Sequence, residues 1–258
     1  MQNPWENCFD ISGKWLGPPE KEKEIINNFN LKHPKENLFH IFTDVIPFAF
    51  TANIKNADVI LLASNPGYEY CGAEGKECKW TNSHRKICEF HDGQYSYEDN
   101  QKGRLIMNNA AKAHTHQIET NRFEGYWEKK LSKLEQQGIN KDQIGSKIAL
   151  AEFFPYHSIK FKVISNKYFN GKNEDEVVYL ETQKYTFEII KKRVLEGALV
   201  ICTRGEKIWK EALEYEKWTE DRKENFIKTN SYLNTTISEN NLTKSDGAWS
   251  RLLEKLMK

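Results

Sequence analysis

Three short apolar runs, each stopped by a turn or a polar residue, constrain the fold more than any other feature of the chain. They are DVILLA at 58–63, KIALAEFF at 147–154 and ALVIC at 198–202. Runs of this length, rich in Leu and β-branched residues, predict strands that are buried on both faces. Stretches of helical composition separate them, which is typical of parallel strands joined by helices.

The pattern around these runs predicts the remaining elements. One or two further extended segments are expected within 226–237. Helices are predicted at 20–30, 104–117, 122–137, 181–195 and 206–215, with a last helix capped by Ser245. The sequence therefore predicts an α/β fold, a single domain with a central, mainly parallel four-stranded sheet flanked by helices. Residues 1–54 are expected to form a helical arm packed on this core. Residues 55–258 would form the α/β domain, with a Cys-rich insertion at about 69–100.

Composition excludes several classes of protein. The 38 Lys and Arg residues against 37 Asp and Glu give a net charge of +1, which excludes a generally basic binder but not a local basic groove. No apolar run approaches the roughly 20 residues that a membrane span needs, and the N-terminus lacks a signal-peptide pattern. We therefore expect a cytoplasmic protein without a membrane partner, whose five cysteines are reduced or bind metal.

The candidate site follows from where ligands bind in parallel sheets, beyond the carboxyl ends of the strands. The residues after the predicted strands are 64–68, 152–158, 203–205 and 230–241. The first of these contains Asn65-Pro66-Gly67, in which Pro and Gly make a tight turn and the Asn amide can hold a water. Taken alone, these three residues favour a plain structural turn.

In context, the order of these segments resembles the uracil-DNA glycosylase superfamily. In its mismatch-specific and single-strand-selective branches, the turn after the first core strand reads Asn-Pro-Gly, as at 65–67 here. The resemblance covers about residues 55–258. The later motif of the family would correspond to Asn230-Ser231-Tyr232 and its continuation to Leu242, without the His-Pro-Ser of the best-known members.

The resemblance implies an enzyme that flips a nucleotide out of DNA and hydrolyses its glycosidic bond without a catalytic cofactor. Asn65 would position the attacking water, and polar groups of Asn230, Ser231 or Asn240 would stabilise the leaving base. Leu242 is a candidate wedge for the vacated stack. The expected base pocket contains Gly67, Tyr68, Glu152, Phe153, Phe154, Tyr156 and His157. The expected DNA contacts are Arg204, Lys207, Ser231, Ser238 and Asn240.

Several of these residues have an alternative structural role. Phe153 and Phe154 are as typical of a core as of a stacking wall, and His157 is as typical of a buried structural histidine. Arg204 and Lys207 also suit a solvated start of a helix. The partner implied by the resemblance is DNA, and no obligate protein partner is inferred.

The substrate prediction depends on Glu152, which takes the place of an Asn that reads uracil in the family. An ionised carboxylate only accepts hydrogen bonds, so it suits the exocyclic amine of cytosine and opposes O4 of uracil. We therefore expect a modified cytosine, such as glucosylated hydroxymethylcytosine in phage DNA, as in an antiphage branch of the superfamily. The alternatives are a uracil or mismatch repair glycosylase, a non-catalytic DNA-binding protein that retains the fold, and a hydrolase of free nucleosides.

The insertion carries a candidate metal site. Cys71, Cys78, Cys88 and His91 lie close together in the sequence, and three thiolates with one imidazole form a tetrahedral zinc site that orders a polar loop. Three reduced cysteines in a surface loop are the alternative. Some members of the resembled superfamily hold an iron–sulfur cluster on four cysteines, and since only three cysteines lie together here, zinc is favoured.

Overall fold

The computed structural model describes residues 2–8, 15–43, 47, 49–51, 54–66, 126–169, 173–231, 233–242 and 247–258. These residues form two compact units. The first contains the described parts of Met1–Ala49, Asn65–Tyr97 and Phe154–Tyr185, and the second those of Phe50–Ser64, Glu98–Phe153 and Thr186–Lys258. The division at residue 54 stays a prediction.

The second unit is built on a sheet of five strands within the described residues. They are β1 (Phe50–Thr51), β2 (Val59–Ala63), β3 (Ile148–Glu152), β4 (Leu199–Cys202) and β5 (Phe226–Lys228). Strands β2 to β5 run parallel, and the two-residue β1 pairs antiparallel with β3 at the edge. The predicted α/β fold with a mainly parallel four-stranded sheet flanked by helices is confirmed, and β1 is an addition that the sequence did not indicate.

The three apolar runs form the central strands for the reason that their composition suggests. Val59, Ile60, Leu61 and Leu62 in β2 are all fully buried, as are the residues of β4. A strand covered on both faces has no solvent side, so its sequence shows a continuous apolar run rather than an alternation. The polar residues Ser64 and Thr203 follow β2 and β4, whereas the chain after β3 stays buried as far as Ser158.

The order of the strands fixes where a ligand would bind. The sheet reads β1-β3-β2-β4-β5, so the connection from β2 leads to one side of the sheet and the connection from β4 leads to the other. The carboxyl ends of β2 and β4 thus flank a topological switch point, where open α/β sheets bind ligands. Ser64 follows β2 there, and Thr203 follows β4.

Seven α-helices lie within the described residues. They are α1 (Glu20–Lys32), α2 (Tyr126–Glu135), α3 (Lys141–Lys147), α4 (Glu181–Leu195), α5 (Glu206–Ala212), α6 (Glu220–Lys223) and α7 (Ala248–Met257). Helix α4 has the predicted bounds, and α3 begins with a capping box between Asn140 and Gln143. Helix α7 begins after Gly247, later than a cap at Ser245 predicts. That residue and the predicted helix at 104–117 lie outside the described residues.

Candidate active site

The carboxyl edge of the sheet carries polar side chains from three strand ends. Glu152 is the last residue of β3, Arg204 follows β4, and Asn230 follows β5. All three belong to the second unit, and the charge of Arg204 acts on Glu152. The parallel sheet thus brings to one edge three of the residues that the sequence singled out.

Glu152 is the chemically unusual residue of this edge. Its side chain is half-buried, and its Oε2 is buried and receives no hydrogen bond from the residues that the structure describes. Burial raises the pKa of the carboxyl from 4.5 to about 8, against a smaller lowering effect of Arg204. The substrate expected from the sequence requires an ionised carboxylate here. The correction is that Glu152 keeps its proton at neutral pH, because a buried oxygen without a donor disfavours the charge.

The turn after β4 is held by buried hydrogen bonds. The backbone N–H and the Oγ1 of Thr203 both donate to the carbonyl of Leu62, at 2.9 and 2.7 Å. Gly205 has a φ of +72°, and a Cβ there would lie 3.0 Å from a neighbouring side chain, so the turn requires glycine. Arg204 and Lys207 are exposed on either side of it. Their contact with DNA stays a prediction.

The segment 229–242, here called the β5 loop, is closed by the amide of Asn230. The Asn230 N–H donates to the carbonyl of Asn241 at 2.7 Å. Its Nδ2 donates to the carbonyls of Asn240 at 3.1 Å and Leu242 at 3.0 Å. The role predicted for Asn230 at the leaving base requires donors, and the donors of this side chain are used within the loop.

Further hydrogen bonds connect the described residues of the β5 loop. Asn241 Nδ2 donates to the carbonyls of two loop residues, both at 2.7 Å. Ser231 Oγ accepts from the N–H of Asn234 at 3.2 Å, and the carbonyl of Ser238 accepts from the N–H of Asn241 at 3.0 Å. Among the predicted DNA contacts in this loop, Asn240 is exposed, while Ser231 and Ser238 are half-buried.

The loop exposes one leucine and buries another. Leu242, the predicted wedge, is 2% exposed, so it is a core residue and cannot enter a base stack. Leu233 in the same loop is 78% exposed. An apolar side chain that is exposed to solvent is the better candidate for a wedge.

Asn65 belongs to the first unit, where its amide is oriented by Ser158. Nδ2 donates to the Oγ of Ser158 at 2.9 Å, to the carbonyl of Ser158 at 3.1 Å and to the carbonyl of Pro66 at 3.0 Å. Carbonyl oxygens only accept, so the nitrogen must face them. In the described part of the chain nothing donates to Oδ1 of this half-buried residue. The amide therefore presents an acceptor of the kind that would orient a water.

Phe153 lies in an aromatic core. It is 1% exposed and packs with Phe187 and Trp209 in the second unit, with ring centroids 5.3 and 5.1 Å away. Trp209 Nε1 in turn donates to the carbonyl of Ala63 at 2.9 Å. The structure thus places this predicted pocket residue in the hydrophobic core beneath the strand ends.

The predicted pocket residues that follow Phe153 lie buried in the first unit. Phe154 packs edge-on against Tyr156, and Tyr156 OH donates to Oε2 of Glu22 at 2.7 Å. His157 is 2% exposed, and its carbonyl accepts from the N–H of Phe42 at 2.9 Å. The structure gives these three residues core positions.

Three residues of interest were not predicted from the sequence. Ser158 and Leu233 lie in the predicted segments 152–158 and 230–241, but nothing in the sequence singled them out, because a distant hydrogen-bond partner and side-chain exposure are tertiary properties. For Glu22 the sequence did contain a signal, because this residue shares a helical stripe with Ile26 and Phe29. All three residues are buried. The carboxylate of Glu22 accepts from Tyr156 OH and from Thr182, whose N–H and Oγ1 lie at 2.7 and 3.0 Å.

The remaining predicted residues lie outside the described part of the chain. They are Gly67, Tyr68, Cys71, Cys78, Cys88 and His91. The zinc site thus stays a prediction, and in the described ranges no three His, Cys, Asp or Glu residues are grouped to hold a metal. A search of the same residues finds no helix that could span a membrane.

Compared with protein-family models, with curated proteins and with solved structures, the chain matches none of them.

Proposed function

We propose that the protein is a DNA glycosylase that flips a modified base out of DNA and hydrolyses its N-glycosidic bond, leaving an abasic site. The proposed base is a modified cytosine, such as glucosylated hydroxymethylcytosine in phage DNA. The observation that carries the proposal is Glu152, whose buried Oε2 has no partner in the described residues. A half-buried carboxyl that receives no hydrogen bond from the described residues, at the ligand-binding edge of a parallel sheet, suits a ligand that forms hydrogen bonds.

The neutral form of Glu152 fits the Watson–Crick edge of cytosine. Its carbonyl oxygen can accept from the exocyclic amine, and its O–H can donate to N3. The pair of bonds has the same pattern as a bidentate amide, so it would orient a flipped base in its plane. The neutral form therefore remains compatible with a cytosine-type base after the correction of the charge.

Asn65 suits the position of the water. Its Nδ2 donates hydrogen bonds to Ser158 and Pro66. Its Oδ1 can therefore accept a hydrogen bond from the attacking water. In the proposed step the water oxygen bonds to C1′ of the sugar and gives up a proton. The base departs with the electron pair of the glycosidic bond and takes up a proton.

A second candidate substrate is favoured by the same carboxyl. A neutral Glu152 can also donate its O–H to O4 of uracil and accept from N3–H, which an ionised carboxylate cannot do. A uracil glycosylase is therefore the alternative. The charge of Glu152 separates the two substrates, because the ionised carboxylate suits cytosine and is opposed by O4 of uracil, whereas the neutral form pairs with either base.

The test is a panel of DNAs carrying uracil, cytosine, hydroxymethylcytosine or glucosylated hydroxymethylcytosine, incubated with the purified protein. Mass spectrometry of the released bases and cleavage at abasic sites are the readouts. Release of a cytosine derivative supports the proposal, and release of uracil alone supports the alternative. DNA binding without release of any base assigns the protein to non-catalytic recognition, and action on free nucleosides alone assigns it to nucleoside hydrolysis.

A further inference from the structure

Two neighbouring segments of the first unit carry four lysines. The turn after α1 lies beside the segment that follows Phe154, because the N–H of Lys160 donates to the carbonyl of Leu38 at 2.8 Å. A side-chain contact joins the same segments, since Lys162 Nζ lies 3.2 Å from Nε2 of His33. The four lysines, here called the lysine patch, are Lys32, Lys35, Lys160 and Lys162.

The lysine patch lacks the neutralisation that lysines have elsewhere. Within the described residues, none of its four lysines forms an ion pair, whereas lysines such as Lys21, Lys23 and Lys210 are paired with glutamates at 3.3, 2.7 and 2.8 Å. Glu36 is the single acidic residue in 31–43 and 156–163. A chain with a net charge of +1 therefore concentrates unneutralised positive charge here.

Lys162 anchors the lysine patch. Its Nζ lies 4.7 Å above the centre of the Phe39 ring, a cation–π distance. His33 Nδ1 lies 2.9 Å from the carbonyl of Phe29, which only accepts, so Nδ1 carries the proton and Nε2 accepts from Lys162. The Lys162 ammonium is thus held by contacts with Phe39 and His33 that do not neutralise its charge.

The lowered pKa of His33 also indicates a positive electrostatic potential in this region. Burial lowers the pKa of His33, and the positive charges of Lys162 and Lys167 lower it further. The carbonyl of Phe29 raises the pKa through its hydrogen bond. An anion bound beside these lysines would therefore be stabilised by their positive charge.

We propose that the lysine patch binds the phosphate backbone of DNA. The choice of DNA over another polyanion rests on the proposed function. Exposed lysines without acidic partners are typical of contacts to phosphates, which position a duplex without reading its sequence. The exposed Leu38 and the half-buried Phe39 beside these lysines add apolar surface of the kind that meets sugars and bases.

The test is the salt dependence of binding to an unmodified DNA duplex of about 20 base pairs, followed by fluorescence anisotropy. The variant Lys32→Gln/Lys35→Gln/Lys160→Gln removes three exposed charges, and Lys162 stays because it is packed. Lys21→Gln/Lys23→Gln is the control, since it removes lysines of the same unit that are ion-paired. We expect the slope of log K against log salt to fall by about 0.9 for each phosphate that is no longer neutralised, and the affinity at about 0.1 M salt to fall at least about ten-fold. The control should keep the wild-type slope, and melting curves verify folding.

The outcomes separate this proposal from the proposed function. An unchanged slope in the triple variant, in a protein that still releases bases, overturns the lysine patch and leaves the glycosylase intact. A reduced slope in a protein that releases no base from any DNA supports the lysine patch and rejects the glycosylase. If the triple variant instead loses affinity for polyglutamate and keeps its affinity for DNA, the partner is an acidic protein and the proposal is overturned.

Discussion

The amide nitrogen of Asn65 donates to both oxygens of Ser158, at 2.9 Å to the hydroxyl and 3.1 Å to the carbonyl. Ser158 is buried, and its hydroxyl also donates to the carbonyl of Lys160 at 3.1 Å. Asn65 is thereby held in one orientation by a residue that is itself fixed. A group that must position a water benefits from this arrangement, because it loses no freedom when the reaction begins.

We predict that Asn65→Ala loses most of the base release and retains its fold. Positioned catalytic groups are worth on the order of 10²–10⁴ in rate. Ser158→Ala keeps the carbonyl acceptor and loses the two hydrogen bonds of the hydroxyl, to Asn65 and to the carbonyl of Lys160, each worth about 1 kcal/mol, so we expect a rate several-fold below wild type. Single-turnover release from the true substrate is the measurement, with Asn173→Ala, an exposed residue of the same unit, as the control. Near-normal turnover by Asn65→Ala would refute its role.

The second prediction concerns stability as a function of pH. The pKa of Glu152 is about 8 in the folded protein against 4.5 for the free group, so the folded state binds its proton more tightly than the unfolded state. This contribution is complete below pH 4.5 and is lost as the pH rises to about 8. We expect Glu152→Gln, which is neutral at every pH, to be more stable than wild type at pH 9 by on the order of a few kcal/mol.

Thermal denaturation between pH 5 and pH 9 measures this difference, and Glu211→Gln, at an exposed position, is the matched control. The melting temperature of Glu152→Gln minus that of wild type should grow with pH, while the control difference stays flat. A difference that is the same at pH 5 and pH 9 would show that Glu152 ionises normally.

The third prediction concerns base selection. A neutral Glu152 can pair with cytosine or uracil, whereas the ionised form accepts only and is opposed by O4 of uracil. Wild-type release of uracil relative to a cytosine derivative should therefore fall as the pH passes through about 8, the pKa of Glu152. In Glu152→Gln, whose amide both donates and accepts, the ratio should not change with pH. A wild-type ratio that is constant from pH 6 to pH 9.5 would exclude Glu152 from reading the base.

The fourth prediction separates two leucines of the β5 loop. Leu233→Ala changes an exposed side chain, so we expect a stability change within about 0.5 kcal/mol and a loss of release from duplex DNA that is larger than the loss from single strands. Leu242→Ala truncates a buried side chain and should cost about 2–5 kcal/mol of stability. Urea denaturation and parallel assays on both kinds of DNA give the two readouts. Equal losses on duplex and single-stranded DNA would leave Leu233 without a role in flipping.

The sheet illustrates what local sequence can predict. The runs at 58–63 and 198–202 became β2 and β4 to within one residue, because a strand buried on both faces must be apolar throughout. The short β1 had no such signal, since two residues carry no periodicity. Its place beside β3 is decided by pairing with Ala151 and Leu150, far away in the chain.

The candidate site shows more clearly what local sequence cannot predict. Position in the sequence predicted that Glu152 and Asn230 follow strand ends, and the parallel sheet brings them to one edge. Their chemistry was decided by contacts that the sequence does not show. Burial without a donor keeps Glu152 protonated, and two carbonyls of its own loop occupy the amide of Asn230.

The apolar pattern by itself determined the α/β class and the residues that end each strand, because a strand buried on both faces consists of consecutive apolar residues. Tertiary structure alone decided which polar group is charged and which aromatic side chain is core. Phe153 and Phe154 look alike in the sequence, and both are buried, at 1% and 3% exposure. Charge, exposure and hydrogen-bond partners depend on atoms from distant segments, and those atoms meet only when the chain has folded.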